Sequence, residues 1–106
     1  MLESTFKTQL CKDIKALLPG CIVLHIDPTE VQGMPDLLVL YGNTWAALEG
    51  KRSARSPYQP NQPYYVELMN NMSFSRFIYP ENKEEVLYEL QLALQPHRPA
   101  RIPRRK

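Results

Sequence analysis

The chain has 106 residues, with 13 Lys and Arg against 11 Asp and Glu for a net charge of +2. That length suits one domain with a single core and leaves no room for a separate targeting domain. No apolar run approaches the ~20 residues that span a bilayer, Glu3 and Lys7 interrupt the N-terminus where a signal peptide would need an apolar stretch, and two cysteines make no disulfide framework.

A cytoplasmic protein is therefore expected, with Cys11 and Cys21 reduced and packed as small core residues. The charge is unevenly spread. Arg98, Arg101, Arg104, Arg105 and Lys106 all fall in the last eleven residues, and without them eight basic residues face eleven acidic ones, a balance of −3. Positive charge is thus concentrated on the tail and on Lys51, Arg52 and Arg55, which suits a polyanion held near one site rather than over a broad basic face.

Leu2, Phe6, Leu10, Ile14 and Leu17 recur at spacings of three and four and predict an amphipathic helix over residues 2–18, ended by Pro19-Gly20. Lys7, Lys12, Asp13 and Lys15 fall off that stripe. Glu3, in the first turn, is favourable near a helix N-terminus. Residues 21–26 are apolar apart from His25 and predict the first strand. His25 is either a general base or, as for most lone histidines at a strand end, a hydrogen-bonded structural residue. The polar stretch from Asp27 to Gly33 is a loop, in which Asp27 and Glu30 are either solvated or placed near a substrate.

Two apolar runs, 33–41 and 44–51, flank Gly42-Asn43, a β-hairpin signal. With a two-residue loop and no bulge at Gly50, cross-strand partners have numbers summing to 85, so Asp36 faces Glu49. Lys51, two residues on, shares their face. Opposed carboxylates repel unless a cation joins them. Their oxygens suit a hard divalent ion such as Mg²⁺, and Gly50, between Glu49 and Lys51, has no side chain of its own to keep its carbonyl from such an ion. Both strands are apolar on both faces, which places them at the centre of a sheet covered by helices.

Residues 52–63 form a proline-rich loop. Arg52 and Arg55 leave the second hairpin strand directly and either meet phosphate or are simply solvated. A helix is expected from about 61 to 71, with Pro63 in its first turn and Tyr65, Leu68 and Met69 or Met72 inward. A fourth strand over 74–79 and a last helix from Glu81 or Asn82 follow. Val86, Leu87, Leu90 and Leu94 face inward there, with Tyr88 at the boundary. Pro96, Pro99 and Pro103 then rule out regular structure, which divides the chain into a domain of residues 1–95 and a basic tail of residues 96–106, either disordered or laid along a polyanion.

Gly33-Met34-Pro35-Asp36, then Glu49-Gly50-Lys51 after a gap of twelve residues, resembles the PD-(D/E)xK nuclease superfamily, and Gly-x-Pro-Asp looks like its VRR-Nuc branch. The resemblance implies an α/β, restriction-endonuclease-like core of order α-β-β-β-α-β-α, with a mixed four-stranded sheet flanked by helices. It implies a metal-dependent DNA endonuclease, structure-selective for branched DNA such as Holliday junctions and homodimeric. Asp36, Glu49, Gly50 and Glu3 would hold Mg²⁺, with Mn²⁺ as substitute. Lys51 is implied as a catalytic residue, joined by Gln62 or Gln59, and Arg52, Arg55, Arg98, Arg101, Arg104 and Arg105 as DNA contacts. A nicking or end-processing nuclease, a catalytically idle nucleic-acid-binding module and a small regulatory protein with a chance motif are the alternatives.

Overall fold

The computed structural model describes residues 2–27 and 29–95, together with Pro103. Its elements are α1 (Glu3–Leu17), β1 (Ile22–His25), β2 (Leu37–Tyr41), β3 (Thr44–Gly50), α2 (Gln62–Met72), β4 (Ser75–Ile78) and α3 (Lys83–Ala93). The expected order α-β-β-β-α-β-α is observed. The basic arginines of the tail (Arg98, Arg101, Arg104 and Arg105) lie outside the described residues. Among those described, no helix is long and apolar enough to cross a membrane.

The sheet runs β1-β2-β3-β4, with β1, β2 and β3 antiparallel and β4 parallel to β3. Leu37 pairs with Leu48 and Tyr41 with Thr44, so every partner pair in the hairpin sums to 85 as the two-residue turn requires. Gly42 takes the left-handed conformation that this tight turn demands. The parallel β3–β4 pair needs a crossover, which α2 supplies.

One face of the sheet, carrying Leu37, Val39, Ala46, Leu48 and Ile78, packs against Phe6, Leu10 and Ile14 of α1 and Val86 and Leu90 of α3, with Leu18 and Leu94 closing the layer. The stripe on α1 is therefore a strict i, i+4 row ending at Leu18. Leu17 is only partly buried, and Leu2 precedes the helix in extended backbone, exposed. The opposite face is covered by α2 over β3 and β4 alone. Consequently β3 is buried on both faces from Ala46 to Gly50 as expected, whereas Ile22, Leu24 and Leu40 remain exposed on the β1–β2 side. The inward residues of α2 are Gln62 and Val66; Tyr65, Leu68 and Met69 are half-buried and Met72 is exposed. On α3, Asn82 is the N-cap residue, its amide bridging Tyr79 and Phe77 across the turn from β4. Tyr88 is exposed rather than at the boundary.

Candidate active site

The open end of the hairpin, away from Gly42-Asn43, forms the floor of a cavity of about 820 Å³ whose lining includes Glu3, Lys7, Asp36, Glu49, Lys51 and Gln62. Asp36 immediately precedes β2, and extending the observed register by one pair puts it opposite Glu49. Asp36 Oδ1 accepts the Gly50 N–H at 3.2 Å, which fixes its carboxylate across the end of β3.

Glu49 is only 4% exposed, and its Oε1 is buried with no hydrogen-bond partner. Burial, then the neighbouring Asp36 charge, pushes its carboxyl up to about 7, against the partial relief of Lys51 and Lys7. A buried carboxylate oxygen left without a donor is costly.

Lys51 is also buried. Its ammonium donates to Gln62 Oε1 at 2.7 Å and to the Pro57 carbonyl at 3.2 Å. The same Gln62 oxygen accepts the Gln59 N–H at 2.8 Å. Of the two glutamines, Gln62 thus reaches the site with its side chain, and Gln59 contributes a backbone donor from an exposed position. Both belong to the approach into α2, where Asn61 adopts a left-handed conformation.

Gly33 explains how that approach is held. Its φ is +94°, and a Cβ there would lie 2.6 Å from Asn61 Cβ and 2.7 Å from the Pro60 carbonyl oxygen. The loop before β2 and the loop before α2 therefore touch backbone to backbone, bringing the Asp36 side and the Gln62 side of the cleft together.

Glu3 reaches the same cleft, but its carboxylate bonds Lys7 one turn later at 3.1 Å. Lys7 also bonds Asp36. Burial would lower the Lys7 ammonium, yet the bonds and charges of Asp36 and Glu3 outweigh it and hold its pKa above the ordinary value. Lys7 lies off the apolar stripe, and the sequence signal for its place in the site is the Glu3–Lys7 spacing of four, which puts both on one helix face.

The other expected residues are dispersed. Arg52 lines the cleft, whereas Arg55 is exposed outside it. His25 faces Cys11 Sγ at 3.9 Å in a separate cavity, which leaves it without contact to the carboxylates. Asp27 turns back to bond the Thr29 N–H and hydroxyl, which holds it below the usual carboxylate range, and Glu30 is exposed. Both cysteines are free and half-buried.

Among the described residues, no three or more His, Cys, Asp and Glu side chains close on one point. The donor set nonetheless fits a hard divalent ion: two carboxylates brought together, one of them with an orphaned buried oxygen. Comparison with protein families, characterised proteins and solved structures finds no match to this chain.

Proposed function

We propose that this protein is a metal-dependent endodeoxyribonuclease of the PD-(D/E)xK type, related to the VRR-Nuc branch and selective for branched DNA. The observation that carries the reading is the opposition of Asp36 and Glu49 on the cleft floor, with Glu49 Oε1 buried and unpaired beside a buried Lys51. Such an arrangement disfavours the metal-free fold and has no role in a module that only binds.

Asp36 and Glu49, with the Gly50 carbonyl and Glu3, would hold Mg²⁺ or Mn²⁺. Bound there, the ion supplies Lewis acidity that neutralises charge on a scissile phosphate and eases ionisation of an attacking water. Lys51, held by Gln62 and Pro57, presents its positive charge to the same floor and stabilises charge developing on the phosphate. Arg52, which lines the cleft, would contact a flanking phosphate. No covalent enzyme intermediate is needed. Symmetrical cutting of two strands requires two sites, so the active species is a homodimer, with exposed Tyr58 and Tyr64 as candidate contact residues.

The test is Mg²⁺-dependent cleavage of a four-way junction beside linear duplex and single strand of the same sequence. Junction cleavage by the wild type, abolished in folded Asp36→Asn, Glu49→Gln and Lys51→Ala variants, is expected. Near-wild-type cleavage by folded Asp36→Asn would overturn the assignment, and DNA binding without cleavage would make the protein an idle module. Light scattering tests the dimer, and a monomer making paired incisions would refute it.

A further inference from the structure

Lys7 stands on the ground the proposed ion would occupy. It lies one turn into α1, off the apolar stripe, where a lysine ordinarily extends into water. Instead its ammonium bonds the carboxylates of Asp36 and Glu3, two of the groups assigned above to the ion.

Its stem is laid along Gly50. A Cβ at that position would be 3.0 Å from Lys7 Cγ and 3.1 Å from Cε, so the missing side chain provides the track along which Lys7 reaches Asp36. The neutralisation is incomplete. Lys7 leaves Glu49 Oε1 without a partner, and the bonds of Lys51 go to Gln62 and Pro57. A tethered monovalent ammonium therefore serves two acids of the cleft, whereas a divalent ion with several coordination positions can serve all three.

Lys7 also lines a second cavity of about 420 Å³, shared with Thr8, Cys11, Lys12, Lys15 and His25, in which no carboxylate takes part. That cavity offers the displaced side chain room on the other side of its own helix face.

We propose that Lys7 is an internal counter-cation of the site, which neutralises Asp36 and Glu3 while no divalent ion is bound and yields its place when one arrives. The inference rests on the metal reading above. It makes ion binding an exchange of cations rather than occupation of an open site, so apparent ion affinity is set partly by Lys7.

The test is Mn²⁺ and Mg²⁺ binding by calorimetry, without DNA, to the wild type, Lys7→Met and a Lys12→Met control. Methionine keeps an unbranched stem against Gly50 and removes the competing charge. Lys7→Met should bind the ion about tenfold tighter or more, and Lys12→Met should match the wild type. Lys7→Met should melt lower than the wild type without ion, and saturating ion should close that gap. In the wild type, which needs no substitution to fold, saturating Mg²⁺ should raise the acylation rate of Lys7 by an amine-reactive probe, read by mass spectrometry. Equal affinities, a melting deficit that persists in ion, and unchanged Lys7 reactivity would make Lys7 a structural tie and overturn the proposal. Failure of all three proteins to bind either ion would overturn the metal reading itself, and the exchange with it.

Discussion

The Lys51 ammonium, at the end of β3, donates to Gln62 Oε1 at 2.7 Å in the first turn of α2. The bond spans the crossover between two parallel strands, so the residue that carries the proposed positive charge is aimed by the helix that covers its face. Replacing Gln62 by Leu would leave a buried ammonium with the Pro57 carbonyl as its remaining acceptor. The cost should be about 1–3 kcal/mol in urea unfolding. In a double-mutant cycle with Lys51→Met, the two losses should fall short of additivity. Additive losses would show that the pair does not act as a unit.

Glu49 makes metal-free stability depend on pH in a defined direction. Its carboxyl sits at about 7 in the fold against an ordinary 4.5. Between those values the folded protein holds a proton that the unfolded chain has released, so the stabilisation present below pH 4.5 is lost as pH rises through 7. Glu49→Gln should melt close to the wild type near pH 4.5 and above it at pH 8, by roughly 4–8 °C for each kcal/mol relieved. Thermal melts in chelator check this. A difference that does not change with pH would mean Glu49 is not the titrating group.

Much of this arrangement could be read from residue order. The Gly42-Asn43 turn and two apolar runs specify the hairpin, and period-two alternation then carries Asp36, Glu49 and Lys51 to one face. The inward face of α2 could not be read in the same way. Pattern favours its large apolar residues, but the helix is rotated so that a polar one, Gln62, meets Lys51. Lys7 escaped for a related reason. Amphipathic spacing marks what faces the core and is silent on a long side chain that bends over the end of a sheet.

Divalent ions should stabilise the protein by mass action. Mg²⁺ at 100 times its dissociation constant would add about 2.7 kcal/mol. Asp36→Asn, which removes a charge from the floor while keeping an acceptor for the Gly50 N–H, should erase the gain. An equal gain in the variant would place the ion elsewhere.

Two glycines separate backbone strain from collision. Gly20 has a φ of +89°, and a Cβ there meets nothing within 4 Å. Gly20→Ala should therefore cost only the left-handed penalty, roughly 1–2 kcal/mol. Gly33→Ala adds a clash with the backbone of residues 60 and 61. It should be more destabilising, and it should impair cleavage through the displaced Gln62 approach. Equal losses from the two substitutions would remove the contact from the account.

The charge of the last eleven residues is testable without reference to their conformation. Each phosphate they neutralise should contribute about −0.9 to the slope of log affinity on log salt. Deleting residues 97–106 should flatten that slope by roughly two to four units for every duplex tested, with little effect on cleavage at saturating DNA. Identical slopes, measured in Ca²⁺, would exclude the tail from binding.

The hairpin turn is also a ruler. Gly42 lies six residues from Asp36, roughly 20 Å of extended chain, and the count of residues in that turn sets which atoms meet at the far end. A shift of the pairing by one residue would slide Glu49 past Asp36 and turn it out of the cleft toward the opposite layer, with no change in the identity of any residue there. Loop tips usually absorb insertions freely, but one taken up here by re-pairing would pass along both strands. The chain can vary what it writes in the turn, but not how many letters it uses.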